Sequence, residues 1–143
     1  MTKPRSILVP VDGSDSSARA AAFAADLARD TVAEVVLLHV YDAPAGLAMG
    51  LLSSIPTGLD DSQAKLAQAC FARAKNAMGG VHVREYLVEI GHPAERILEV
   101  AGSQGFSQIV MGSRGLSPVR ELLLGSVSER VLRGADCAVT IVR

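Results

Sequence analysis

Aromatic side chains are scarce in this chain, at 3% of 143 residues, and tryptophan is absent. So few rings exclude the aromatic platforms on which single-stranded nucleic acids stack. An excess of charge is missing too, since the formal net charge is −1. No long-range field therefore draws the chain to nucleic acid or to an anionic membrane, and neither is expected as a partner. Cysteine is confined to Cys70 and Cys137, with no CxxC or metal-type spacing. Both fall in apolar patterns, which reads as buried free thiols of a reducing compartment. No apolar run approaches membrane-spanning length, and Ile7-Leu8-Val9 behind Lys3 and Arg5 is too short for a secretory signal core. A cytoplasmic protein is the default expectation.

What is present is apolar and orderly. Hydrophobic residues make up 49% and charged residues 20% of the chain, which excludes disorder as the main state. The length suffices to bury a core, and one domain over 1–143 is expected. Strands are predicted at 7–11, 35–41, 83–88, 108–111 and Ala138–Val142. Between the first two, Ala20, Phe23, Ala24, Leu27 and Ala28 recur on one helical face. A second helix starts near Asp60, which has capping-box spacing to Gln63, and Gly79-Gly80 ends it. His92-Pro93 opens a third helix, and a short fourth covers 126–132. In the third strand Val83, Glu85, Leu87 and Glu89 oppose Arg84, Tyr86 and Val88, an edge-like alternation. This succession predicts an α/β fold, an open five-stranded parallel sheet with helices on both faces. Ligands of such sheets bind beyond the carboxyl ends of the strands, where the strand order reverses. Asp12-Gly13, Val40-Tyr41 and Gly112-Ser113 all stand at predicted strand ends.

The richest segment follows the apolar run Ile109-Val110-Met111. It reads Gly112-Ser113-Arg114-Gly115, then nine residues, then Gly125-Ser126. Glycines let a ligand approach the main chain, and a helix start adds unpaired N–H groups with a positive partial charge. Strand, glycines and helix start together point to a phosphate-bearing ligand.

Here the residues resemble a known family. Pro10-Val11-Asp12-Gly13-Ser14, Leu38-His39-Val40, Met111-Gly112-Ser113-Arg114-Gly115 and Leu123-Leu124-Gly125-Ser126-Val127-Ser128 together look like a universal stress protein. The likeness runs from about Arg5 to Arg143, and only the variable stretch 42–60 lacks a clear counterpart. The resemblance implies a Rossmann-like, adenine nucleotide alpha hydrolase-like domain, commonly dimeric and tied to stress or growth arrest. It also implies ATP binding, because the family's Gly-x2-Gly-x9-Gly-Ser motif is satisfied here without a gap. By correspondence Pro10, Val11, Asp12 and Val40 would meet adenine and ribose. Met111, Gly112, Ser113, Arg114 and Gly115, with Gly125, Ser126, Val127 and Ser128, would hold ribose and phosphates. Mg2+ would be held mainly by the phosphates. The homodimer would form through Ala138–Val142, whose backbone invites pairing if it lies at a sheet edge.

Several of these residues carry a second reading. The glycines also suit plain turns. Ser126 has capping-box spacing to Glu129, so its hydroxyl would serve either a helix N–H or a phosphate. Asp12 or Ser14 would cap the first helix, and a carboxylate would repel a triphosphate, which favours adenine or ribose for Asp12. Asp12-Gly13-Ser14-Asp15-Ser16 is faintly similar to the pyrophosphatase loop of adenylating enzymes, but it lacks their adjacent glycines. Arg114 and Arg120 suit either phosphate or solvent, His39 reads as a packed strand residue and His92 as the opening of a helix. The long stretch 43–58 reads as a functional loop, a dimer face or a packed turn. Three function classes remain: a nucleotide-dependent dimeric switch, a slow ATP-hydrolysing enzyme, and an interaction scaffold with an empty cleft.

Overall fold

The computed structural model describes residues 5–42, 61–114 and 124–143. Their elements run β1 (Ser6–Pro10), α1 (Asp15–Thr31), β2 (Glu34–Tyr41), α2 (Asp61–Ala77), β3 (Val83–Ile90), α3 (Pro93–Ser103), β4 (Gln108–Gly112), α4 (Ser126–Gly134) and β5 (Ala138–Val142). The strands form one parallel sheet in the order β3-β2-β1-β4-β5. This is the architecture expected from the alternating pattern.

Side chains alternate across the pleat and divide the core in two. Ile7, Val9, Val35, Leu37 and Val110 face a layer that includes the alanines of α1 and Phe71 and Ala74 of α2. Leu8, Val36, Leu38, Ile109 and Met111 face Ile97 of α3 and Val131 of α4. The central strands are covered on both sides, which is why they read as unbroken apolar runs. Each fully buried branched side chain is worth about 1.5–3 kcal/mol. Ala20, Ala21, Ala24, Ala25 and Ala28 are all buried, and their small size lets α1 lie close on the sheet.

Three details depart from expectation. β1 ends at Pro10, and Val11 lies just beyond it with its N–H donating to the Leu38 carbonyl at 2.8 Å. α4 continues past Leu132 to Gly134. In β3 the alternation is broken, because Val35 pairs with Val83 but Val36 pairs with Glu85. The extra residue, Arg84, flips the pleat, so Val83 joins the α1–α2 layer while Leu87 packs into the α3–α4 layer. A period-two reading of 83–89 puts them on one face; a bulge puts them on opposite ones. β3 is an edge strand, as its alternation implied.

The sheet opens where its order reverses. β1 pairs with β2 from Ser6 to Pro10, but its register with β4 covers only Ile7–Gln108 and Leu8–Ile109. Beyond those pairs the two strands part, leaving a crevice at their carboxyl ends between the β1–α1 turn and the start of α4.

Candidate functional site

A cleft of about 250 Å³ occupies this crevice. Its apolar part is built from Pro10 of β1, Leu38 and Val40 of β2, Met111 of β4, and Pro93 and Ile97 of α3. Asp12, Ser17, Arg114 and the first turn of α4 line the same cleft. Every residue expected at the site lines the cleft except Ser113 and Gly115. Ser113 is buried behind it, at 7% exposure, and Gly115 lies outside the described residues, as do Arg120, Asp60 and 43–58.

The β1–α1 turn is held by its own side chains. Gly13 takes a φ of +85°, a left-handed conformation that favours glycine. Asp12 Oδ1 accepts the Ser14 N–H at 3.0 Å and the Ser14 hydroxyl at 2.5 Å. Ser14 Oγ in turn accepts the Ser17 N–H at 3.1 Å. Ser14 is therefore the cap of α1, and Asp12 fixes the cap rather than providing it. From behind, Arg73 donates to the Gly13 carbonyl at 2.5 Å and pairs with Asp15. His39 Nδ1 lies 2.9 Å from the Val11 carbonyl; because a carbonyl only accepts, Nδ1 carries the proton. His39 is buried and stands edge-on to Phe71, which makes it the packed strand residue the sequence indicated. Cys70 lies under the same turn, and burial followed by the nearby Asp12 charge raises its thiol pKa.

The β4–α4 side is built differently. A Cβ on Gly112 would stand 2.3 Å from Ser16 Oγ and 2.8 Å from the Ser16 carbonyl carbon. Glycine is required there by the close approach of α1, whatever binds in the cleft. At Gly125 the demand is milder: φ is −64°, and among the described atoms the nearest to an added Cβ is the Ser113 oxygen at 3.3 Å, a tight contact that a small shift relieves.

Gly125, not Ser126, is the N-cap of α4, and among the described residues no side chain caps this helix. Of the two roles weighed for Ser126, capping is the one the structure removes; its side chain is exposed in the first helical position. Helix geometry leaves the N–H groups of Ser126, Val127 and Ser128 without intrahelical acceptors. The Gly125 N–H is already used, donating to the Ser113 carbonyl at 2.7 Å, and the Ser113 N–H donates to Val142 at 2.9 Å. Those two amides serve the protein itself.

Ser17, Leu38, Pro93 and Ile97 were not expected at the site. Leu38 adjoins the expected Val40, so its neighbourhood was legible. Pro93 and Ile97 reach the cleft because α3 starts at the strand ends and crosses the sheet. His92 stands at the opening of this helix, as read, and makes no side-chain capping bond. Among the described residues, no group of three or more His, Cys, Asp or Glu converges as a metal site. No helix among them is long and apolar enough to cross a membrane.

Fold and cleft define a parallel α/β protein with a ligand-sized crevice at its switch point. The chain belongs to the universal stress protein family, whose model matches residues 3–143. It is 37% identical to universal stress protein YxiE of Bacillus subtilis, covering 96% of this chain and 97% of that protein. Among solved structures it resembles protein MJ0577 of Methanocaldococcus jannaschii, with a TM-score of 0.74 and 26% identity over 99% and 96% of the two chains. It is also similar to a universal stress protein in complex with cAMP, with a TM-score of 0.68 and 28% identity over 99% and 98%.

Proposed function

We propose that the cleft binds ATP and that the protein works as a nucleotide-dependent dimeric switch in a stress response. The observation that carries the reading is the first turn of α4, which has no side-chain cap among the described residues and lines the same cleft as the apolar residues at the strand switch point. The slot between Pro10, Leu38, Val40 and Met111 suits the faces of a purine. The amides of Ser126, Val127 and Ser128 suit phosphate oxygens, and Arg114 adds charge beside them. Asp12, held by Ser14, suits a ribose hydroxyl or an adenine amino group. The complex of a relative with cAMP supports an adenine nucleotide as the ligand class. Asp12 is the cleft's only carboxylate among the described residues, so Mg2+ would arrive with the phosphates and be held mainly by them.

Binding is favoured over turnover as the function. Hydrolysis needs a water oriented by a base, and the one carboxylate already spends an oxygen on Ser14. The proposed dimer joins β5 to β5: the strand is at the sheet edge, so one side of its backbone is open to a second copy.

Titration calorimetry with ATP, AMP and cAMP on the purified protein tests the reading, with Gly125→Val as the probe. A valine at that position fills the approach to the α4 amides, and nucleotide affinity is expected to fall at least about tenfold, more than one hydrogen bond's worth. Equal affinity of the two proteins, or none in the parent, would overturn it.

A further inference from the structure

Ser128 stands on the phosphate side of the cleft, where the family resemblance makes it a ligand contact. The geometry points to a different role. We infer that the Ser128 hydroxyl is a brace, which holds the first turn of α4 in the orientation that presents its amides to phosphate. This inference rests on nucleotide binding in the cleft.

The residue is buried, at 2% exposure. Its Oγ lies 3.0 Å from the Ser113 carbonyl and 3.0 Å from the Gly125 carbonyl. A serine hydroxyl has a single proton, and both of these neighbours are pure acceptors, so that proton is committed to them. What remains on the oxygen is lone pairs, which repel a phosphate oxygen. Contact with phosphate through the hydroxyl would require it to turn away from both carbonyls.

The bonds it makes have a consequence one turn earlier. The Ser113 carbonyl accepts the Gly125 N–H at 2.7 Å as well as the Ser128 hydroxyl, while the Ser113 N–H is tied to β5 at Val142. One residue at the end of β4 thus receives α4 at two points, its N-cap amide and its third helical residue. Two bonds to one carbonyl fix the tilt of a helix start better than one, and the amides of Ser126, Val127 and Ser128 move with that tilt. Since α4 has no side-chain cap among the described residues, this strut supplies the ordering a cap would give without using the amides.

The test compares Ser128→Ala, Ser128→Thr and Ser128→Cys with the parent. Calorimetry reads ATP, AMP and adenosine affinity, and NMR hydrogen exchange reads the Gly125 amide in nucleotide-free protein. In Ser128→Ala, ATP and AMP should bind about tenfold more weakly, the scale of one lost hydrogen bond, with adenosine unaffected. The Gly125 amide should exchange about tenfold faster before any ligand is added. Ser128→Thr, which keeps the hydroxyl, should restore both, and Ser128→Cys, a poorer donor, should fall between. If Ser128→Ala weakened nucleotide binding but left Gly125 exchange unchanged, the hydroxyl would be a direct ligand and the brace would be overturned. Undiminished ATP affinity in Ser128→Ala would overturn it too, while nucleotide binding by the parent still stood. A parent that bound no adenine nucleotide would instead sink the functional reading and the inference together.

Discussion

Two helices begin at the same end of the sheet and face the same cleft, yet their first turns are finished in opposite ways. α1 opens on Ser14, whose hydroxyl accepts the Ser17 N–H while Asp12 holds the serine in place. α4 opens on Gly125 and has no side-chain cap among the described residues. Both starts carry the same positive partial charge and the same surplus of N–H groups. The first is closed by the protein's own oxygens, and the second is the one proposed to receive phosphate oxygens. Glycine at an N-cap is only about a few tenths of a kcal/mol less stable than serine, so the two starts differ more in the chemistry they present than in stability.

The glycines on either side of α4's approach sharpen the contrast. Gly112 is demanded outright by packing, and Gly125 more mildly, by one close backbone contact among the described residues. Gly112→Ala should be the most damaging change, since its Cβ would press on Ser16 backbone as well as side chain. A loss of about 3 kcal/mol is expected, at the upper end of overpacking, and urea unfolding measures it. A loss below about 1 kcal/mol would mean that α1 shifts freely, and the distinction between the two glycines would collapse.

Capping α4 artificially breaks the comparison from the other side. Gly125→Asp supplies an acceptor for the first-turn amides, so stability should stay within about 1 kcal/mol of the parent. Its charge stands where phosphate is proposed, and ATP affinity should fall more than about thirtyfold, or 2 kcal/mol. Retained affinity would place the phosphates elsewhere. The mildest change is Ser14→Ala, which removes the cap from α1 and should cost about 1 kcal/mol in thermal unfolding. Asp12 keeps the Ser14 N–H in that variant, so ATP affinity should drop by less than about threefold. A larger drop would show that the hydroxyl, not the amide, orients the carboxylate.

Much of this was legible in the sequence because it depends on local pattern. Apolar runs in β1, β2 and β4 and the alanine stripe of α1 declare their burial through periodicity, and Gly-x2-Gly-x9-Gly-Ser marks the α4 side by spacing alone. At 126–129 the capping-box spacing left open whether the Ser126 hydroxyl serves a helix N–H or a phosphate; the extended backbone of Gly125, which makes it the N-cap, removed the first. The bulge at Arg84 was invisible because one extra residue leaves composition unchanged while reversing which face Leu87 occupies.

By itself the sequence determined the order of elements, the parallel sheet and the segments that meet at its carboxyl edge, since these follow from hydrophobic period and turn chemistry. Only the tertiary structure decided what each residue at that edge does. Gly112 makes room for Ser16, ninety-six positions away by number, and Pro93 and Ile97 enter the cleft because α3 crosses the sheet. The Ser128 hydroxyl donates to the carbonyl of Ser113, just beyond the end of β4. Such roles depend on distances of a few ångströms between residues far apart in the chain, and a linear pattern holds no record of those distances.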